Sequence, residues 1–329
     1  MLKIGVLGAG HLGKIHIKCI KLAEQHLDLV GFYDVDPENA AKVAEQFGIP
    51  AFESVEALLE AVDIIDIVTP TTTHHQLAKQ AIEAGKHIFI EKPLTHTVAE
   101  AEELMELAKK HKIKVQVGHV ERFNPALLAL DDAKLAPKFI EVHRLAIFNP
   151  RGTDVSVVLD LMIHDIDIIL SMIDAEVTSI SANGVAVVSP TPDIANARIE
   201  FSNGAVANVT TSRISMKQMR KVRLFQKDAY ISLDFLEKQA QVIRMFEKDD
   251  EEVGKLDNLM ELQTQDSTKY IHIDMPPIEP TNAIKMELET FAESINNDTR
   301  PKVNIEDGYK ALKVAYDIIH AIEAKASKA

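Results

Sequence analysis

The sequence has one cysteine, Cys19, no tryptophan, and only 5% aromatic residues in 329. A single cysteine excludes an intrachain disulfide, so packing and hydrogen bonds must hold the fold, and a reducing compartment suits it. Basic residues are outnumbered: 36 Lys and Arg face 50 Asp and Glu, for a formal net charge of −14. Such a chain lacks the basic surface with which a general nucleic-acid binder neutralises phosphates, so no nucleic-acid partner is expected. A small anionic ligand remains compatible, because a few placed arginines hold a phosphate in an acidic protein. No apolar run approaches the ~20 residues of a membrane-spanning helix, and no membrane partner is expected. The first residues show no basic start, apolar stretch and small-residue cleavage site, so the expected location is cytoplasmic.

What is present is ordinary for a globular protein: 46% apolar and 26% charged residues, over a length that accommodates two domains. Short apolar runs at residues 3–7, 29–33, 64–68, 87–90 and 114–117 alternate with helical patterns at 11–25, 37–47, 55–60, 74–84 and 97–111. That alternation predicts a doubly wound parallel sheet covered on both faces. Thr97 and Glu100 have the spacing of a capping box. Beyond about residue 125 strand patterns dominate, at 139–147, 177–188, 195–201, 205–213, 221–225, 229–234 and 240–246. They are interrupted by one helical segment near 157–172 and closed by an amphipathic helix at about 306–324. Asn203-Gly204 predicts a tight hairpin, and consecutive hairpins an antiparallel sheet. Residues 247–255 read as a solvated acidic loop, and the proline-rich 275–280 as a connector. The expected organisation is an α/β Rossmann domain at 1–122 and an α+β domain with a large, mostly antiparallel open sheet at 123–329.

Gly8-Ala9-Gly10-His11-Leu12-Gly13 stands between the first predicted strand and the first predicted helix. Its glycines permit a tight turn and close backbone approach to a pyrophosphate, while the helix N-terminus offers N–H groups and partial positive charge. Asp34 closes the second strand, 21 residues after Gly13, where a carboxylate accepts hydrogen bonds from ribose hydroxyls and repels a 2′-phosphate. Val35-Asp36-Pro37 offer no arginine for such a phosphate. The expected cofactor is therefore NAD rather than NADP. His74-His75 could suggest a metal, but no third ligand stands at useful spacing, and none is expected.

Ile90-Glu91-Lys92-Pro93 follows the fourth predicted strand, about 80 residues past the glycine turn. With Thr69-Pro70-Thr71-Thr72-Thr73-His74 and Asp160-Leu161-Met162-Ile163-His164, it makes the whole chain resemble the glucose-fructose oxidoreductase and inositol dehydrogenase (Gfo/Idh/MocA) family. The resemblance implies a dehydrogenase acting on a CH–OH group of a sugar or nucleotide sugar. It implies that Lys92, Asp160 and His164 are catalytic, and that Lys92–Pro93 is a cis peptide. It also implies cofactor contacts from Gly8, Gly10, His11, Leu12, Gly13, Asp34, Thr69, Pro70, Thr71, His74, Glu91 and Lys92. The chemistry of the residues agrees. Alcohol oxidation removes a hydride from carbon and a proton from oxygen. Histidine suits the base, its unperturbed pKa of ~6.5 lying near working pH. Asp160 precedes His164 by four residues, so on an α-helix they share a face, where the aspartate orients the imidazole or meets a substrate hydroxyl. Lys92 can donate to the same oxygen and stabilise alkoxide charge.

The stretch Gly118-His119-Val120-Glu121-Arg122-Phe123-Asn124-Pro125, with Arg151-Gly152-Thr153-Asp154, resembles the subgroup that oxidises the 3-hydroxyl of UDP-N-acetylglucosamine. That resemblance implies substrate contacts from Arg122, Asn124, Arg151 and Asp160, with Arg213, Lys217 and Arg220 as further candidates for the diphosphate. The chain departs from many relatives at Val120, at Val157-Val158-Leu159 and at Met162, positions that bear on pocket shape. Three other readings stand beside this one: a dehydrogenase of a free sugar or polyol, a silent NAD-sensing regulator, and a redox-neutral enzyme or imine or biliverdin reductase. A large apolar sheet face with few helices needs a cover, so a homodimer or homotetramer is expected.

Overall fold

The computed structural model describes residues 1–131, 133–149, 155–264 and 267–326. The continuous apolar runs become parallel strands, as β1 (Leu2–Leu7) is followed by α1 (His11–Leu22), β2 (Leu27–Tyr33), α2 (Pro37–Phe47), α3 (Val55–Ala61), β3 (Ile64–Ile67), α4 (Thr71–Glu83), β4 (His87–Glu91), α5 (Val98–His111) and β5 (Val115–Gly118). The five strands pair in the order β2-β1-β3-β4-β5, all parallel. Side chains set the helix limits. Asp36 accepts from the Glu38 and Asn39 N–H groups at the start of α2, and Gly48 ends it in the left-handed region at φ 63°. The Thr97–Glu100 capping box forms at the start of α5, with Glu100 accepting from the Thr97 N–H at 2.8 Å.

After the short helix α6 (Pro125–Leu128) the elements are β6 (Phe139–Leu145), α7 (Ile163–Met172), β7 (Val177–Val185), β8 (Ile194–Phe201), β9 (Val206–Ser212), β10 (Met219–Phe225), β11 (Ala229–Asp234), β12 (Gln239–Glu247), β13 (Met260–Gln263) and β14 (Thr268–Asp274). They form a nine-stranded sheet in the order β13-β14-β12-β11-β10-β6-β9-β8-β7. Every pairing is antiparallel except β6 with β9. Asn203-Gly204 makes the predicted hairpin, with Gly204 at φ 79° between β8 and β9. The strands β13 and β14 were not expected; every residue of β13 is exposed, so no period-2 burial pattern marks it.

One face of this sheet carries α7. The other is not uniformly apolar, which corrects the premise of the oligomer expectation. Around β6, β7, β8 and β9 it presents Glu141, His143, Ser181, Asn183, Asn196, Arg198, Asn208 and Thr210 around a concavity of about 440 Å³. It is apolar where Phe139, Phe225 and Tyr230 stack across β6, β10 and β11, and toward the β12–β14 edge, where Ile243 pairs with Ile273, and Met245 and Met260 with Ile271.

Two last helices follow, α8 (Ala283–Asn296) and α9 (Ile305–Ala326). The chain divides into two units, Met1–Phe123 with Asn282–Lys313 and Asn124–Thr281 with Val314–Ala329. The first thus regains a late segment that a single boundary at 122/123 leaves out. The reason is α8: Leu288, Phe291 and Ala292 are buried in one cluster with Ile4, Ile17, Ile20 and Phe89. Truncating a buried side chain such as Phe291 typically costs ~3–5 kcal/mol, so α8 is integral to this core.

Candidate active site

The glycine turn has a separate reason at each glycine. Gly8 sits at φ +90°, and a Cβ there would stand 2.8 Å from the Val68 carbonyl oxygen. A Cβ on Gly13 would stand 2.0 Å from the Gly8 carbonyl oxygen, so the first helical turn closes on the loop only without a side chain. A Cβ on Gly10 would meet nothing within 4 Å. The protein's own packing therefore leaves Gly10 open, at the N-cap of α1, where no side chain caps the helix. Such an uncapped N-terminus over open space fits a pyrophosphate, and His11 and Leu12 lie exposed beside it.

Asp34 closes β2 beside that loop. Its Oδ2 accepts from the Ala9 N–H at 2.7 Å and the Asn39 side-chain amide at 3.1 Å, and its Oδ1 from the Asp36 N–H at 2.9 Å. The carboxylate thus fixes the glycine loop, beyond the ribose contact expected of it from the sequence. This second duty, invisible in the motif, comes from the parallel register that sets Leu7 beside Tyr33.

Thr69 and Pro70 precede α4, which begins at Thr71; the Thr73 hydroxyl donates to the Pro70 carbonyl at 2.8 Å. His74 is buried, with Nδ1 3.0 Å from the Pro93 carbonyl oxygen and Nε2 3.0 Å from that of Thr69. Burial holds its pKa below the ordinary value, the two carbonyls opposing the shift. A neutral imidazole carries a single N–H, so His74 donates to one of these two carbonyls and packs against the other, between the Thr69 turn and the Lys92–Pro93 turn. Its neighbour His75 diverges to Glu103 at 2.9 Å. Among the described residues no group of three or more His, Cys, Asp or Glu could hold a metal ion. The Lys92–Pro93 peptide bond is cis, as the resemblance implied. The Glu91 carboxylate accepts from the Lys92 N–H at 3.1 Å, and Lys92 itself is half-buried.

In the second unit the helix expected near 157–172 opens as a π-helix, Val158–Met162, in which the Ile163 N–H donates to the Val158 carbonyl five residues back. Asp160 lies in this wide turn and His164 in the first turn of α7; both are half-buried. The expectation of two residues one α-turn apart missed the wide turn, which residue spacing does not encode. Such turns recur at functional sites. Val157, Val158 and Met162, three of the departures from relatives, are fully buried core residues.

Two arginines hold this helix and the segment before it: Arg144, which sequence reasoning passed over, and Arg213, which it offered to the diphosphate. Arg144 on β6 donates from Nε and Nη2 to both oxygens of Asp165 at 2.8 Å each. Arg213 donates to the Val155 carbonyl at 2.6 Å, anchoring the segment before the π turn rather than standing as a surface cation. Asn124, expected at the substrate, caps α6 through the Ala126 N–H at 3.1 Å and donates to the Phe235 carbonyl at 3.1 Å. Arg122 lies 3.8 Å from Asp307. Lys217 and Arg220 are exposed, and Arg151 lies outside the described residues.

Residues 2–119 match the model of an oxidoreductase family with an NAD-binding Rossmann fold, and residues 143–231 match the GFO/IDH/MocA C-terminal domain. The chain is 42% identical over 236 residues to the UDP-N-acetylglucosamine 3-dehydrogenase of Acidithiobacillus ferrooxidans, covering 71% of this chain and 74% of that protein. It is 33% identical to the scyllo-inositol 2-dehydrogenase (NAD(+)) of Bacillus subtilis, covering 65% and 68%. A solved structure of the Acidithiobacillus ferrooxidans enzyme superposes with a TM-score of 0.87 at 34% identity, covering 98% of each chain.

Proposed function

The chain belongs to the Gfo/Idh/MocA family of NAD-binding oxidoreductases, and on that premise we propose that it oxidises the 3-hydroxyl of UDP-N-acetylglucosamine to the 3-keto sugar nucleotide. The observation that carries this reading is the 42% identity to an enzyme of that activity, in a chain that keeps Lys92, Asp160 and His164 together. NAD, when bound, supplies the hydride acceptor. It is preferred to NADP because the Asp34 carboxylate stands where a 2′-phosphate would go, and no arginine follows it.

The residues then divide the work. Gly8, Gly10 and Gly13 with the N–H groups of His11 and Leu12 hold the pyrophosphate, and Thr69, Pro70 and Thr71 flank the cofactor. Lys92 donates to the reacting oxygen and stabilises negative charge as it develops; His164 accepts the hydroxyl proton; Asp160 orients the sugar or the imidazole. Glu91 and His74 act on Lys92 and the Thr69 turn through backbone. The exposed Lys217 and Arg220 are the candidates for the diphosphate, with Arg122 and Arg151, and Asn124 is a further candidate substrate contact. The protein is a cytoplasmic homo-oligomer in this reading, the apolar edge of the nine-stranded sheet offering the cover. Light scattering that returns a monomer mass at micromolar concentration overturns that part.

The test is direct. Purified protein with NAD is given UDP-N-acetylglucosamine, and NADH absorbance should rise. Reduction of NAD with a free polyol such as inositol, and none with the UDP-sugar, overturns the substrate assignment.

A further inference from the structure

Behind the Lys92 turn, inside the first unit, lies a buried ionic cluster of which these roles use only Glu91. His16 on α1 is fully buried, with Nδ1 hydrogen-bonded to an oxygen of Asp66 on β3 at 2.9 Å and Nε2 3.2 Å from Oε1 of Glu91 at the end of β4, an ion-pair contact without hydrogen-bond geometry. Asp66 is fully buried and Glu91 nearly so. A fourth member, Glu287 on α8, is also fully buried, and neither of its carboxylate oxygens has a hydrogen-bond partner. Burial alone pushes the His16 pKa down; the two flanking carboxylates more than offset this and hold it well above the ordinary value, as an imidazolium. Burial, with the Glu91 charge, holds Glu287 well above the usual carboxylate range, so it stays neutral.

Such a cluster is a poor way to stabilise a core, since apolar residues of similar volume commonly do as well or better. Its geometry points to a different service. Glu91 divides its two oxygens, Oε1 toward His16 and Oε2 to the Lys92 N–H at 3.1 Å. Gly118 on β5 leaves room for this arrangement: a Cβ there would stand 2.7 Å from Oε1. On the far side of the turn His74 holds the Pro93 carbonyl. The Lys92–Pro93 pair is thus flanked at both ends, and the hold on the Lys92 N–H is only as rigid as the Glu91 carboxylate.

We propose that the His16–Asp66 pair is a positioning element for Lys92, acting through the Glu91 carboxylate. This rests on the assignment of Lys92 to the reacting oxygen. Asp66 fixes the imidazolium, the imidazolium fixes Glu91, and Glu91 fixes the backbone from which the Lys92 side chain departs. Misplacement of a catalytic group by ~1 Å costs on the order of 100-fold in rate, so a loosened grip is read in kcat.

The experiment compares wild type with the double variant His16→Gln/Asp66→Asn, which removes both charges and keeps hydrogen-bonding side chains. Amide hydrogen exchange is the first readout. The Lys92 amide should exchange at least about tenfold faster in the variant while Ile88, Phe89 and Ile90 of the same strand keep their rates. A merely structural role would move all four together, and equal or uniformly changed rates overturn the proposal. The second readout is a split: kcat with UDP-N-acetylglucosamine falls at least about tenfold while the Kd for NAD stays within about twofold. Unchanged kcat in the folded variant overturns it too. If wild type turns over no UDP-sugar, the substrate reading fails and the exchange readout still decides the positioning. If the variant does not fold, side-chain 15N NMR of wild type decides: both His16 nitrogens protonated at pH 8 support the proposal, and a neutral imidazole there overturns it.

Discussion

Arg144 and Asp165 face each other with two parallel hydrogen bonds of 2.8 Å, their side chains 4% and 2% exposed. Asp165 directly follows His164, so this bidentate clasp ties the first turn of α7 to β6. Removing one partner leaves the other charge buried. Arg144→Met should lower the free energy of unfolding by ~3–5 kcal/mol, whereas Arg144→Met with Asp165→Leu should recover most of that loss. Urea titration of the three proteins checks it; a double variant no more stable than the single contradicts it.

Lys92 and His164 are read as acting on one hydroxyl. Lys92→Met and His164→Ala should each lower kcat by ~10²- to 10⁴-fold while NAD still binds, and the pair together should lose less than the product of the two. Steady-state kinetics with an NADH-fluorescence titration tests this. Full activity in both variants refutes the assignment.

Gly10 and Gly13 make opposite predictions from one substitution. Gly13→Ala drives a Cβ against the Gly8 carbonyl and should lower the thermal midpoint of the apo protein. Gly10→Ala meets no protein atom, so the apo midpoint should hold while NAD affinity falls. Melting curves with and without NAD separate the two.

Asp34 holds the glycine loop and is read as holding the ribose. Asp34→Asn keeps an acceptor for the Ala9 N–H but no longer repels a phosphate, so the ratio of kcat/KM for NAD to that for NADP should fall. An unchanged ratio counts against NAD selection by this residue.

Glu287 supplies a pH signature. Its folded pKa is raised well above 4.5 by burial first and by the Glu91 charge second. Folding therefore favours the protonated form, and its contribution to stability declines as pH rises from about 4.5 toward the folded value. Glu287→Gln keeps the shape without the acid, so its advantage in thermal midpoint over wild type should grow with pH above that point. Melts across a pH series decide; a constant difference contradicts the burial argument.

Much of this protein is written locally. The glycine turn, Asp34 at the end of a strand and the Thr97–Glu100 capping box are local patterns whose consequences follow from chain geometry, and the structure forms each of them. What was not legible were arrangements that need distant partners. The helix α8 carries a periodicity that fits many places; only its packing with Ile17, Ile20 and Phe89 assigns it to the first unit, 165 residues after that unit's last strand ends. The spacing of Asn124 likewise could not reveal that its amide closes a helix start and holds Phe235. The π turn at Asp160 adds a residue to one turn without changing the amino-acid pattern.

The sequence by itself determined the alternation of strand and helix, the glycine turn and the capping box, because these depend on neighbours within a few positions. Only the tertiary structure decided which charges are buried. Asp66, Glu91, Glu287, Asp165 and Arg144 look like any other charged residues along the chain. Burial depends on which elements stack over them, and once water is gone each charge must find a partner or lose its charge.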